Sequence, residues 1–115
     1  MTIDFKEHKI KFGFGLYFLG KAQSDKGVDL NGLLQGIKNN VDIIDLMYIS
    51  AKTEAYLDEV VLPFTRREFV SYFEENRDFD KNIKDWELKF VESVKGHFLP
   101  SEEDVKEVED SEKKN

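Results

Sequence analysis

The chain of 115 residues contains no cysteine, which excludes disulfide bonds, thiolate zinc sites and a cysteine nucleophile. It also lacks any apolar run near the length of about 18 residues that a membrane helix needs, so we predict no membrane partner. The N-terminal stretch MTIDFKEHKIKF alternates charged and apolar residues, which is not the pattern of a secretory signal peptide.

Residues suited to catalysis or metal binding are few. His8 lies in a predicted turn and His97 just beyond a predicted helix, and no nucleophile or orienting group is specified near either. Asp42 and Asp45 are one helical turn apart, but hard cations need several converging oxygens and no loop has EF-hand spacing. The sequence therefore predicts a protein that is not an enzyme and has no cofactor or metal.

A clustered basic surface is missing as well. The net charge is −7 and the isoelectric point is about 4.9. Nucleic-acid binding needs several grouped lysines or arginines that displace counterions from phosphates. We therefore predict no nucleic-acid partner.

The C-terminal residues are too polar to join a core. Residues 101–115 hold seven acids and three lysines with two isolated valines, and so little apolar surface cannot offset the entropy of ordering the chain. We predict one domain over residues 1–98 and a disordered acidic tail over residues 99–115.

What the sequence does contain is a short strand pattern followed by helical periodicity. Alternation around a polar break predicts a β-hairpin, and spacings of three and four predict helices over about 14–24, 30–37, 41–59, 66–75 and 81–95. The predicted fold is mainly α, with about five helices and a short N-terminal β-hairpin. The inward face of the hairpin is predicted to carry Ile3, Phe5, Ile10 and Phe12.

The strongest local signal is FTRRE, at the start of the fourth predicted helix. Thr65 and Glu68 have the spacing of a capping box, and Phe64 and Phe69 that of a hydrophobic staple. Other predicted caps are Asp29 and Asn40 before the second and third helices and Gly96 after the last.

The segment GFGLYF invites comparison with the glycine-rich fingerprint of dinucleotide-binding proteins. Glycines at 13 and 15 would require a third at position 18, which is Phe18, and no βα unit follows. The glycines are better explained as permitting the turn from strand to helix.

Aromatic residues are abundant: the chain has ten Phe, four Tyr and one Trp, more than a small helical core strictly requires. The third predicted helix is apolar over a wide arc, which is typical of a helix central to the core or shared with a partner. Both readings stay open for these residues. The candidate interaction residues are Phe12, Phe14, Tyr17, Phe18, Leu46, Met47, Ile49 and Tyr56.

The order of these features resembles the tail assembly chaperones of long-tailed bacteriophages, above all the siphophage type found with Gram-positive hosts. The resemblance covers residues 1–97. It depends on the hairpin leading into KFGFGLYFLGKAQSDKG, on LNGLLQGI, on VDIIDLMYISAKTEA and on TRREFVSYFEE followed by a last amphipathic helix.

The resemblance implies a helical, non-enzymatic protein that binds the tape measure protein in the host bacterial cytoplasm and is absent from the mature virion. It also implies self-association, and a longer frameshifted form that recruits the tail tube protein. The C-terminal EKKN is compatible with a run of adenines ending in AAC, so we expect a slippery heptamer at these codons.

Two other classes share this composition. One is a self-associating phage structural or adaptor protein, such as a tail or connector component. The other is a small acidic inhibitor of a host protein. Binding to the tape measure protein would distinguish the chaperone from both.

Overall fold

A computed structural model describes residues 1–5, 7–76 and 79–98. In these ranges the chain is mainly helical, with one short antiparallel hairpin, as the sequence predicts. The elements in order are β1 (Thr2–Phe5), β2 (His8–Lys11), α1 (Leu16–Lys26), α2 (Leu30–Gln35), α3 (Asn40–Leu57), α4 (Arg66–Glu75) and α5 (Phe79–Phe98). The predicted acidic tail, with Pro100, lies outside the described residues.

The hairpin pairs Thr2 with Lys11 and Ile3 with Ile10. Ile3, Ile10 and Phe12 are buried, which confirms the predicted inward face at these three positions; the side chain of Phe5 is outside the described residues. His8, predicted in the turn, is instead the first residue of β2 and is exposed.

The first two helices have different boundary signals. α1 begins after Gly15 without a side-chain cap and ends at Gly27, whose φ of 66° is the left-handed conformation that glycine adopts readily. α2 is capped as predicted, because Asp29 Oδ1 accepts a hydrogen bond of 2.7 Å from the Gly32 amide. The end of α1 and the start of α2 are therefore explained by Gly27 and Asp29, the residues next to each helix.

α3 contributes more buried residues to the core than the other described helices. Its cap is Asn39, not Asn40 as predicted: the Asn39 side chain accepts hydrogen bonds from the amides of Val41 and Asp42. The predicted cap was one residue too late. Two asparagines are adjacent here, and only the first has the extended backbone that a cap needs. Its buried residues are Ile43, Ile44, Leu46, Met47, Ile49, Ser50, Ala51 and Thr53.

The start of α4 confirms the predicted capping box. The Thr65 hydroxyl accepts from the Glu68 amide at 3.2 Å, and the Glu68 carboxylate accepts from the Thr65 amide at 3.1 Å. The staple is also present, since the rings of Phe64 and Phe69 stack with centroids 5.5 Å apart. This start fixes where the chain enters α4 after it leaves α3.

α5 is longer than predicted. It begins at Phe79 and continues through Gly96 to Phe98, so the prediction that Gly96 caps the helix was wrong. One glycine costs a helix only about 1 kcal/mol, which a long packed helix tolerates. His97 therefore lies within the helix, and its side chain is outside the described residues. The predicted stripe is confirmed at its four buried positions, Ile83, Trp86, Phe90 and Val94.

Polar contacts join three of the helices. Asp45 on α3 pairs with Lys26 on α1 at 3.3 Å and with Arg66 on α4 at 3.1 Å. The Arg66 guanidinium also lies 4.9 Å from the centre of the Tyr48 ring. All of these groups are partly exposed, so each pair is worth at most about 1 kcal/mol and mainly fixes the orientation of the helices.

Candidate interaction surfaces

The segment over residues 12–19, called here the junction, connects β2 to α1 and is fixed by hydrogen bonds from distant helices. The hydroxyl of Ser50, which is fully buried on α3, accepts from the Gly13 amide at 2.9 Å and donates to the Gly13 carbonyl at 2.7 Å. The Ser93 hydroxyl on α5 donates to the Phe14 carbonyl. A Cβ at Gly13 would overlap the carboxylate of Glu54, so the absence of a side chain permits this close approach.

Two aromatic side chains of the junction, Phe14 and Phe18, pack against α5. The Phe18 ring lies 5.8 Å from both Trp86 and Phe90, and the Phe14 ring lies 5.4 Å from Trp86. Edge-to-face and tilted pairs of this kind are the favoured aromatic geometries. The Trp86 indole N–H is buried with no hydrogen-bond partner in the described part of the chain, so Trp86 contributes to this cluster through the packing of its ring.

Burial separates the eight candidate interaction residues into three groups. Tyr17 and Tyr56 are exposed, at 61% and 71% of their surface. Phe14 is half-buried against the core. The remaining five cannot contact a partner in this fold because they are buried in the core: Phe12, Phe18, Leu46, Met47 and Ile49.

Around Tyr17, α1 presents a small apolar face to solvent. Leu16 is 66% exposed beside Tyr17, and the next turn carries Gly20, Lys21 and Ser24, which leave an open, shallow hollow. Beyond its chain neighbours and the backbone of its own helix, no described atom lies within 4 Å of where a Cβ at Gly20 would be. This face is therefore unoccupied by the rest of the described chain.

A larger exposed apolar surface lies where α3 ends and the chain turns toward α4. It consists of Tyr56, Leu57, Val60 and Val61, called here the α3–α4 surface, and Val61 is 91% exposed. Exposed apolar residues that are grouped in this way mark interaction sites more often than isolated ones do. Only Tyr56 of these four is among the candidate interaction residues predicted from the sequence; the dipeptide Val60-Val61 shortly before Pro63 was a signal that could have indicated the rest.

The backbone at the end of α3 explains why these side chains are exposed. The amide of Val60 donates to the Ala55 carbonyl at 2.9 Å and that of Glu59 to the Tyr56 carbonyl at 3.1 Å, the two hydrogen bonds of a Schellman motif. Glu59 is in the left-handed conformation with φ of 58°, where glycine is usual. The motif turns the chain sharply, so Val60 and Val61 leave the helix away from the core.

Beside this surface, a groove of about 140 Å³ separates β2 from residues 60–64. Its floor includes Ala51, Ala55 and Leu62. Lys11 on β2 reaches α3 next to it and lies 3.5 Å from carboxylate oxygens of both Glu54 and Asp58. Val60 and Val61 also line this groove, so the α3–α4 surface is continuous with it.

The charge on this surface is acidic at its centre. Asp58 and Glu59 lie in the chain between Leu57 and Val60, at the C-terminal end of α3, where the helix dipole already presents partial negative charge. Asp58 is offset by Lys11. Glu59 is exposed and forms no ion pair with any residue that the structure describes.

Other features of the described ranges give no sign of a chemical site. Asp42, a candidate cation ligand, accepts a hydrogen bond from the Lys38 amide at 3.0 Å, and Asp45 is engaged by Lys26 and Arg66. No three acidic or histidine side chains of the described ranges are grouped as metal ligands. Within those ranges, no helix has the length and apolar character required to cross a bilayer.

A second groove, of about 210 Å³, lies between α2 and α3 and is lined by Val28, Leu33, Ile37 and Leu46.

Comparison with protein-family models, with curated proteins and with solved structures found no match to this chain.

Proposed function

We propose that this protein is a phage tail assembly chaperone that binds the tape measure protein, keeps it soluble and promotes polymerisation of the tail tube around it. The single observation that supports the proposal best is the α3–α4 surface, because a chaperone of a helical client must offer apolar area that its own fold leaves open. The layout of the sequence, from the hairpin through the capped fourth helix, supports it independently.

The character of the surface suits temporary binding. Its four apolar side chains provide modest contacts that tube subunits can displace, whereas a few fully desolvated ion pairs would hold the client too rigidly. In this proposal the protein acts in the host bacterial cytoplasm and leaves before the virion matures. A longer frameshifted form would bring the tail tube protein to the complex.

Co-expression with the tape measure protein tests the proposal. We expect the tape measure protein to stay in the soluble fraction and to copurify with the chain. Val61→Asp should abolish both effects without changing the circular dichroism spectrum, because Val61 is almost fully exposed. Leu88→Asp, at an exposed apolar position on α5, is the matched control and should behave like the wild type. An insoluble tape measure protein with no copurifying chain would contradict the proposal.

A self-associating structural or adaptor protein is the second candidate, and the face formed by Leu16 and Tyr17 favours it. Such a protein would form oligomers on its own through this face. Light scattering coupled to size-exclusion chromatography distinguishes the two: an oligomer that Tyr17→Asp dissociates, together with no binding to the tape measure protein, favours the adaptor.

A further inference from the structure

We infer that the α3–α4 surface accepts an amphipathic helix that carries a lysine or arginine within its apolar face, and that Glu59 is the group that selects this cation. The helical form of the partner rests on the proposed function. The requirement for a cation comes from the charges of the surface itself.

The first step concerns what a partner has to cover. Leu57 and Val60 are both exposed and are separated in the chain only by Asp58 and Glu59. A helix that contacts both apolar residues therefore removes water from the turn that holds the two carboxylates. Removing water from a carboxylate without providing a partner is strongly unfavourable.

The second step concerns which cations the chain itself provides. Lys11 is within 3.5 Å of both Glu54 and Asp58, so it already compensates two carboxylates. Glu59 has no such partner in the described ranges, and the C-terminal end of α3 adds to the negative potential. The missing positive charge must therefore come from the partner.

The third step concerns the conformation of Glu59. It holds the left-handed position of a Schellman motif, where glycine would be less strained. A glutamate there costs local stability, and its side chain forms no ion pair within the described residues that would offset this cost. Glutamate at this position provides a carboxylate that can bind a cation of the partner, which glycine cannot do.

A second copy of the chain is a weaker fit for the same surface. Its α1 face offers Leu16, Tyr17 and Lys21, but only the first two are apolar, and the next turn is hollow at Gly20 and Ser24. Two apolar side chains cover less of the α3–α4 surface than a continuous ridge would. Self-association through this route is an outcome that the experiment detects.

The experiment uses two synthetic peptides as probes. Both are leucine and alanine helices with the same apolar face, and they differ only in carrying two lysines or two glutamates at the same positions within that face. Fluorescence anisotropy measures their binding to the full-length chain in low and in high salt. We expect the lysine peptide to bind about tenfold more tightly in low salt, with a smaller ratio in high salt.

Two variants locate the effect. Glu59→Gln keeps the size of the side chain and should bring the ratio between the peptides toward one, whereas Glu92→Gln, at an exposed acid on α5, should leave it unchanged. Val61→Asp should weaken the binding of both peptides, whereas Leu88→Asp should weaken the binding of neither. Equal affinity for the two peptides, or a ratio that Glu59→Gln does not change, overturns the inference. So does peptide binding that Tyr17→Asp alone abolishes.

These outcomes are separable from those of the proposed function. If the tape measure protein stays as soluble with the Val61→Asp and Glu59→Gln variants as with the wild type, the chaperone function is supported. The role of the α3–α4 surface in binding is then refuted. If the chain binds the lysine peptide selectively but does not keep the tape measure protein soluble, the selectivity of the α3–α4 surface is supported and the chaperone function is refuted.

Discussion

The junction and the α3–α4 surface are both short apolar segments at the end of an element of regular structure, but the first carries buried rings and the second is exposed to solvent. In the junction, Phe12 and Phe18 are buried and the backbone is hydrogen-bonded to α3 and α5. In the α3–α4 surface, Val60 and Val61 are exposed. Apolar content alone therefore does not decide which segment is core and which contacts a partner.

The difference comes from what each backbone connects to. Ser50 and Ser93 bring the junction onto two helices, and its rings fill the space between them. The α3–α4 surface includes the Schellman turn at the end of α3, after which Val60 and Val61 are exposed. The hydrogen bonds between Gly13 and Ser50 and the left-handed turn at Glu59 thus distinguish a structural segment from an exposed one, and substitutions at Ser50 and Glu59 can test the distinction.

The largest effect is expected from Phe18→Ala. Phe18 is 1% exposed and packs on Trp86 and Phe90, so its loss should reduce the free energy of unfolding by about 3 to 5 kcal/mol. Urea denaturation followed by circular dichroism measures this. Its neighbour Tyr17 is the control, because Tyr17→Ala removes an exposed ring and should change stability by less than about 0.5 kcal/mol. Similar losses at both positions would show that the junction is not buried as described.

A smaller loss is expected from Ser50→Ala. It removes both hydrogen bonds to Gly13 and leaves a part-buried amide and carbonyl unpaired, which should cost about 1 to 3 kcal/mol. The same denaturation experiment applies, with Ser24→Ala on the exposed face of α1 as the matched control. No loss at Ser50 would mean that water replaces these contacts freely.

The opposite sign is expected at Glu59. Glu59→Gly relieves the left-handed backbone and should raise the free energy of unfolding by about 0.5 to 1 kcal/mol. Glu59→Ala removes the same charge but keeps Cβ, and it should not produce this gain. Thermal unfolding of the three proteins separates the backbone effect from the charge; equal gains for both variants would assign it to charge.

The smallest effect on stability is expected from Val61→Ser. The side chain is 91% exposed, so the free energy of unfolding should stay within about 0.5 kcal/mol of the wild type. Binding of a hydrophobic dye to the folded protein should nevertheless fall, and the buried control Ile49→Ser should instead destabilise the fold. A large loss at Val61 would indicate that it packs in solution and is not part of an exposed surface.

Most of the fold could be predicted from the sequence because its signals are local. The hairpin alternation and the Asp29 and Thr65 caps depend on residues a few positions apart, and the structure confirms them at the described positions. The errors are also local: the cap of α3 is Asn39 and not Asn40, and α5 continues past Gly96. Packing along a long apolar stripe outweighed the weak tendency of one glycine to end a helix.

The interaction surface was less predictable, since exposure depends on tertiary packing. Leu46, Met47 and Ile49 lie on a wide apolar arc, and only the positions of the neighbouring helices show that this arc is filled. The outward direction of Val61 depends on the backbone of Glu59, and a glutamate gives no sequence signal for a left-handed turn. Periodicity identifies apolar faces but not which of them the fold leaves open.

The hydrogen bonds of the junction also constrain the order of events during synthesis. Gly13 is bonded to a residue 37 positions later, and Phe14 to one 79 positions later. Since the chain leaves the ribosome from its N-terminus, the aromatic segment is made early but cannot be enclosed until α5 has emerged. For most of its own translation, a protein proposed to shield another chain carries an apolar segment that nothing yet covers.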